Sequence, residues 1–357
     1  MRIGIPRECK VQEGRVALVP AACAELVSQG HEVFVEADAG LKCGFDDEAF
    51  RRAGARIAAG PDELYRTAEM VVKVKEPQES EYSRLRPDHL LFCFLHLAAA
   101  PGLTRVLLDT GLTAVGFETV DEGGRFPLLA PMSRIAGRLA TQIGARLLTT
   151  PEGGKGILLG GLAGASRGRV VVLGGGAAGG SAAAVAAVLG AEVLLFDRDP
   201  DKLDRARDLG PNVTGLYPYP DVLNEAVQKA DLLVGAVLIP GARSPRLVGA
   251  DVVRGMEEGS VIIDISVDQG GCIETTRPTT YAEPTFVWEG VVHFGVTNMP
   301  GAVPRSASQA LSAVLTPYVA RLAEDGWRDK SPALAAGINT SAGRLVHPAF
   351  RELENVD

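Results

Sequence analysis

The sequence predicts a two-domain α/β protein, and three observations carry that prediction. At 357 residues the chain exceeds what one hydrophobic core usually serves. Short aliphatic runs alternate with amphipathic stretches along most of its length, the pattern of parallel strands joined by helices. Residues 170–197, VVVLGGGAAGGSAAAVAAVLGAEVLLFD, read as strand, glycine turn, helix and strand in immediate succession.

In chain order, residues 2–5 are an apolar strand and 20–30 a helix opened by proline and closed by glycine. Strands follow at 31–37, 70–74, 90–95 and 113–118, with helices at 47–53, 62–67 and 101–110. Residues 132–149 break the rhythm. Ile135, Leu139, Ile143 and Leu147 recur every four residues with Gly and Ala between them, marking a long helix able to pack closely against another. The expected partner is a second long helix at 306–325, the two acting as a hinge. Between them, 200–208 and 221–229 read as helices, and 231–237 and 260–265 as buried strands. The expected organisation is therefore one domain of residues 1–128 plus 306–357, interrupted by a second of residues 129–305.

Hydrophobic residues make up 46% of the chain and charged residues 22%, a folded rather than disordered profile. A net charge of -8 argues against a nucleic-acid or anionic-membrane surface. No apolar run reaches the ~18 to 20 residues that span a bilayer, and MRIGIPRECK lacks a signal-peptide core, so cytoplasmic residence is expected. Cys9, Cys23, Cys43, Cys93 and Cys272 form no C-x-x-C pair and read as free thiols; no metal is expected.

Gly174, Gly176 and Gly179 stand in G-x-G-x-x-G order between the strand and the helix at the centre of the chain. Such glycines permit a tight turn, close backbone approach to a pyrophosphate, and helix-to-strand packing, with the anion at the helix N-terminus. Asp197, 18 residues after Gly179, stands where a carboxylate accepts hydrogen bonds from an adenosine ribose and repels a 2′-phosphate. The expected fold of residues 129–305 is thus a Rossmann-type domain, with NAD preferred to NADP even though Arg198 adjoins Asp197.

Side chains that could act on a substrate lie at strand ends. His96 follows LLFCFL and is either an acid/base or a capped core histidine. Lys75, after MVVKV, reads by itself as a solvated surface lysine. Arg15, in QEGRVALVP, is unmarked by spacing, although a guanidinium is the preferred clamp for a carboxylate. Asp268, in the loop SVDQGGC, either reaches a ligand or caps a turn. His31, His89, His293 and His347 read as structural or exposed. Lys155 sits in a glycine-rich stretch without phosphate-loop spacing.

Taken together, IGIPRECKVQEGRVALVP, VVKVKEP, FCFLHLAA, FETV, PLLAPMSRIAGRLATQIGA, the glycine unit, VGAVLIPGARSPRLV, VIIDISVDQGGCIETTRPTTY and VTNMPGAVPRSASQAL resemble the alanine dehydrogenase family, whose relatives include the nucleotide-binding part of proton-translocating transhydrogenase. The resemblance implies a Rossmann-type NAD domain inserted into a flavodoxin-like or Rossmann-like substrate domain, joined by the two long helices. It also implies NAD-dependent oxidative deamination of L-alanine to pyruvate and ammonia by a cytoplasmic homohexamer without nucleic-acid or membrane partners. Arg15 and Lys75 would bind the substrate, His96, Lys75 and Asp268 would be catalytic, and Asn298 would serve substrate and cofactor. Ser133, Gly174, Gly176, Gly179, Asp197, Lys202 and Met299 would complete the cofactor set. The chain departs from the family pattern at Arg134, where Glu is usual, and in the GLKCGF and LAGAS loops. A dehydrogenase of another small amino acid, a transhydrogenase-like subunit and a non-catalytic NAD-binding protein are the alternative readings.

Overall fold

The computed structural model describes residues 1–237 and 244–350, so residues 238–243 of the VGAVLIPGARSPRLV stretch lie outside the described residues. The strands, in chain order, begin with β1 (Arg2–Ile5), β2 (Glu32–Glu36), β3 (Arg56–Ala58), β4 (Met70–Val72), β5 (Leu90–Cys93) and β6 (Thr113–Gly116). Then come β7 (Arg169–Leu173), β8 (Glu192–Phe196), β9 (Val213–Leu216), β10 (Leu232–Gly235), β11 (Val261–Asp264), β12 (Thr285–Trp288) and β13 (Val291–Phe294). Near the C-terminus follow β14 (Ile338–Ser341) and β15 (Arg344–Leu345). Four helices matter for the sites: α1 (Pro20–Ser28), α2 (Ala130–Leu147), α3 (Ala177–Val188) and α4 (Pro304–Leu322).

The chain divides into two compact units, Met1–Pro131 with Gly301–Asp357, and Met132–Pro300. In the first, the strand order is β15-β14-β6-β5-β4-β1-β2-β3. The pairs from β3 to β6 are parallel, as the alternating pattern predicts. The C-terminal strands depart from it. β14 runs antiparallel to β6 and β15 antiparallel to β14, a hairpin at the edge of the sheet that follows the short helix Pro332–Ala336. The central strands are apolar on both faces, and Leu64, Tyr65, Leu91, Leu103 and Leu107 pack together on one side of the sheet.

The second unit carries a seven-stranded sheet, β12-β13-β11-β10-β7-β8-β9. It is parallel except at β12, which turns back on β13 through Glu289 and Gly290, both at positive φ. Its core includes Val171, Leu173, Val227, Leu233 and Ile262.

Several expected boundaries shift. β4 ends at Val72, although Lys73 N–H still bonds Phe92 O at 3.2 Å and Val74 O accepts from Phe94 N at 3.1 Å. The 113–118 strand stops at Gly116 because Phe117–Thr119 turns as a 3-10 helix, with Thr119 Oγ1 bonding back to Gly116 O at 3.0 Å. Within the second unit, the glycine face of α2 meets α3 and β10. A Cβ on Gly137 would lie 1.9 Å from Ala178 O, one on Gly144 would lie 2.6 Å from the Leu232 side chain, and Thr141 Oγ1 donates to Ala182 O at 2.8 Å. That face is shaped to α3 and β10, where small residues allow backbone-close packing. In the first unit α4 uses Ser308 and Ser312, whose hydroxyls accept from Val16 N at 2.9 Å and Val19 N at 3.0 Å. These two bonds fasten the segment that follows Arg15.

Candidate active site

In the first unit, β5, β4 and β1 are adjacent and parallel, so the loops leaving their carboxyl ends share one edge of the sheet. Arg15 lies on the loop leaving β1, Lys75 three residues beyond β4, and His96 three residues beyond β5. The sheet therefore collects three side chains that are far apart in sequence.

Arg15 is buried and forked onto Glu13, with Nε to Oε1 at 2.7 Å and Nη2 to Oε2 at 2.5 Å. The bidentate pair holds the guanidinium plane. Lys75 is half-buried, which corrects the solvated surface reading. Burial pushes its pKa below the ordinary lysine value, and the nearby positive charge of Arg15 adds to the shift against the opposing pull of Glu76. Two cations held close in a partly dry place favour an anion between or beside them.

Behind Lys75 lies a buried ionic knot. The fully buried Lys73 places Nζ 2.8 Å from Glu81 Oε2 and 3.6 Å from Glu8 Oε2. Burial would lower the Lys73 pKa, but the two glutamates outweigh it and raise it. Glu8 Oε1 accepts from Val74 N at 2.6 Å and from Lys75 N at 3.3 Å, so the knot also fixes the Lys75 backbone.

His96 is exposed and stands in the left-handed region, φ 50° and ψ 39°. Its ring stacks on Phe94, with centroids 5.7 Å apart and planes 6° from parallel. The buried-histidine alternative therefore does not hold for His96. It does hold for His89 and His293, which bond Tyr65 O at 2.9 Å and Thr275 Oγ1 at 2.7 Å.

In the second unit, Gly174 takes φ 95°, and a Cβ there would strike Ala236 O at 2.6 Å. Gly176 precedes the first residue of α3, and a Cβ on it would meet nothing within 4 Å. A Cβ on Gly179 would lie 1.7 Å from Gly174 O. The three glycines thus serve a turn, an open approach to the amino end of a helix, and a contact too close for any side chain. That is the cradle a dinucleotide pyrophosphate requires.

Asp197, just past β8, accepts from Gly175 N at 2.7 Å and from Asp199 N at 2.9 Å, and Lys202 Nζ lies 3.3 Å from Oδ2. Burial would raise its pKa, but the two backbone donors and Lys202 together hold it below the ordinary aspartate value. The carboxylate is anchored to the glycine turn itself. Ser133 is half-buried in the first turn of α2, beside the exposed Arg134. Asn298 is half-buried, and Met299 is buried with its carbonyl accepting from Tyr281 OH at 2.8 Å.

Asp268 is exposed on the 3-10 turn Val267–Gln269. The carboxylate that organises this loop is a different one. Asp264, buried at the end of β11, accepts from Ser266 N and Cys272 N at 2.9 Å each, Thr276 Oγ1 at 2.9 Å and Ile273 N at 3.3 Å. Sequence reading missed it, although an acid closing the VIID run ahead of a two-glycine loop was the available signal. Lys155 is engaged by Asp231 at 2.5 Å and Glu257 at 2.6 Å, a structural role. Among the described residues no group of three or more His, Cys, Asp or Glu could hold a metal, and no helix is long and apolar enough to cross a membrane. All five cysteines are free thiols.

Comparison with known proteins places this geometry. The model of the alanine dehydrogenase/PNT N-terminal domain matches residues 4–136, and that of the C-terminal domain residues 140–348. An alanine dehydrogenase of Bacillus subtilis is 48% identical over 354 residues, covering 98% of this chain and 93% of that protein. A solved L-alanine dehydrogenase superposes with a TM-score of 0.96 at 49% identity, covering 99% of each chain. A transhydrogenase from Sinorhizobium meliloti superposes with a TM-score of 0.85 at 26% identity, covering 98% of this chain and all of that one. With both family models matched in order over nearly its whole length, this chain belongs to the alanine dehydrogenase/PNT family.

Proposed function

We propose that the chain catalyses the reversible NAD-dependent oxidative deamination of L-alanine, in which alanine, NAD and water give pyruvate, ammonia, NADH and a proton. The observation that carries this reading is the Arg15 and Lys75 pair, two cations of which one has its pKa depressed by burial and by the other. A 2-amino or 2-oxo carboxylate would set its charge against Lys75, with Arg15, held in place by Glu13, beside it. The relatives bearing the name alanine dehydrogenase support the same choice.

The residues take the following roles. Arg15 binds the substrate carboxylate. Lys75 donates to the carboxylate or to the oxygen that becomes the pyruvate carbonyl, stabilising charge as it develops there. His96 takes a proton from the attacking water and returns one to the departing amine, and Asp268 assists these water and ammonia steps. A bound nicotinamide supplies the hydride acceptor for the α-carbon. Gly174, Gly176 and Gly179 admit the pyrophosphate, Asp197 accepts from the adenosine ribose with Lys202 beside it, and Ser133, Asn298 and Met299 line the nicotinamide end. Asp197 also favours NAD over NADP, because a 2′-phosphate would face its charge. Substrate handling belongs to residues 1–128 plus 306–357 and dinucleotide binding to residues 129–305. The working enzyme is a cytoplasmic homohexamer, which the mass of the purified protein in solution would test.

The deciding experiment offers the full chain a panel of small amino acids and 2-oxo acids with NAD(H) and NADP(H). Alanine-dependent NADH formation, faster at alkaline pH where the free amine is available, is expected. Absence of turnover with every amino acid in the presence of NAD would refute the proposal. Hydride exchange only with a membrane partner would select the transhydrogenase-like alternative.

A further inference from the structure

We propose that Glu118 is the positioning residue for His96, holding it at the end of β5 through the backbone rather than through the imidazole. The inference rests on the acid/base role proposed for His96. His96 has φ 50°, a conformation that side-chain-bearing residues adopt at a cost and keep only where the surroundings impose it. The imposing group is the Glu118 carboxylate. Its Oε1 accepts from His96 N at 2.7 Å and from Leu95 N at 3.1 Å, and Oε2 lies 3.3 Å from Leu95 N. Two consecutive N–H groups converge on one carboxylate, which bends the chain at the point where the histidine leaves the strand.

Glu118 lies in the 3-10 turn Phe117–Thr119, beyond the end of β6, the strand adjacent to β5. The turn is locked on both sides of Glu118. Thr119 Oγ1 lies 2.7 Å from Asn339 Oδ1 and 2.9 Å from Gly337 O, while the Phe117 ring packs edge-on against Phe92 at 4.6 Å and Phe94 at 5.0 Å. Phe94 in turn stacks on the His96 ring. The turn therefore sets the backbone of His96 through Glu118 and the plane of its ring through Phe117 and Phe94. This gives FETV, a stretch the roles above leave unused, a definite task.

The test is a cycle of four proteins: wild type, Glu118→Ala, His96→Ala and the double variant. For Glu118→Ala, kcat should fall by about 10²-fold, the size of loss that about 1 Å of misplacement of a reacting group produces. KM for alanine and the NADH dissociation constant should stay within about 3-fold, since the Arg15 and glycine sites are untouched. In the His96→Ala background the same change should alter the residual kcat by less than about 2-fold, because no imidazole remains to position. Glu118→Gln, which keeps an oxygen in the Oε1 place, should recover most of the loss. Were Glu118→Ala to fail to fold, Glu118→Asp, whose carboxylate is withdrawn by one methylene, takes its place in the cycle with the same expectations.

Unchanged kcat in the single variant, or an equal loss in the His96→Ala background, overturns the positioning role while leaving the acid/base role standing. Full activity of His96→Ala removes the acid/base role, and this inference with it.

Discussion

The two units build their sites from opposite materials. In Met1–Pro131 with Gly301–Asp357 the candidate site is made of long polar side chains, each braced by a carboxylate: Arg15 by Glu13, the Lys75 backbone by Glu8, the His96 backbone by Glu118. In Met132–Pro300 it is made of missing side chains, where Gly174, Gly176 and Gly179 let the main chain bend, open and close on itself. Carboxylates serve as scaffold in the second unit too, since Asp197 ties the glycine turn and Asp264 ties the loop that bears Asp268. The lesson is that a charged site fails through its chemistry when altered, whereas a glycine site fails through its geometry.

That contrast can be broken by mutation. The largest effect is expected at His96. His96→Ala should lower kcat by roughly 10²- to 10⁴-fold with NADH binding intact by fluorescence titration. Loss of NADH binding in that variant would instead make His96 part of the cofactor site. Next is Arg15→Lys, which keeps the charge but gives up the two-pronged geometry, raising KM for alanine by about 10- to 100-fold with kcat less affected. Steady-state kinetics that show no rise in KM would remove Arg15 from the substrate site.

The glycines should separate from one another. Gly179→Ala must displace backbone, because its Cβ would lie 1.7 Å from Gly174 O, and should cost on the order of 1–3 kcal/mol in thermal unfolding as well as NADH affinity. Gly176→Ala meets nothing within 4 Å and should leave the melting temperature unchanged while weakening NADH binding. Equal melting temperatures for the two variants would contradict the geometric account.

Lys75→Met tests the electrostatic half. Because burial and Arg15 lower the folded-state pKa of Lys75, the unfolded chain holds this proton more tightly, and the charged lysine destabilises the fold at neutral pH. The variant should therefore melt above the wild type near pH 7. The gap should close as pH rises from the lowered pKa towards the ordinary lysine value of about 10.4, where the amine is neutral in both states. A gap that is constant with pH would mean the gain comes from packing. The smallest effect is expected at Thr141→Val, which removes one buried hydrogen bond to Ala182 O for about 1 kcal/mol of stability and no change in KM.

How much could be read in advance follows the same division. The glycine unit was legible because its parts lie within one short stretch, and each glycine has a reason that local geometry supplies. The elements around it were also legible, from Pro20 opening α1 to the i+4 recurrence of α2. Arg15 and Lys75 were not, since nothing in their own neighbourhoods tells a half-buried lysine from a solvated one. They became site candidates through the family resemblance. Glu118 and Asp264 escaped as anchors because each acts on the backbone of a remote or turned segment, and such partnerships leave no spacing to count. The glycine face of α2 was recognised as a close-packing surface without α3 and β10 being named as what it meets, because small residues announce close approach without naming what approaches.

By itself, then, the sequence determined the α/β class, the dinucleotide turn and the chemical types available at the strand ends, since strand pattern, glycine spacing and residue identity are local properties. Only the tertiary structure decided that β5, β4 and β1 stand side by side, that Lys75 is half-buried beside Arg15, and that Glu118 turns His96 out of its strand. Burial and charge proximity arise from strand pairing between residues far apart in the chain, and a pKa or a backbone strain exists only once those pairings have been made.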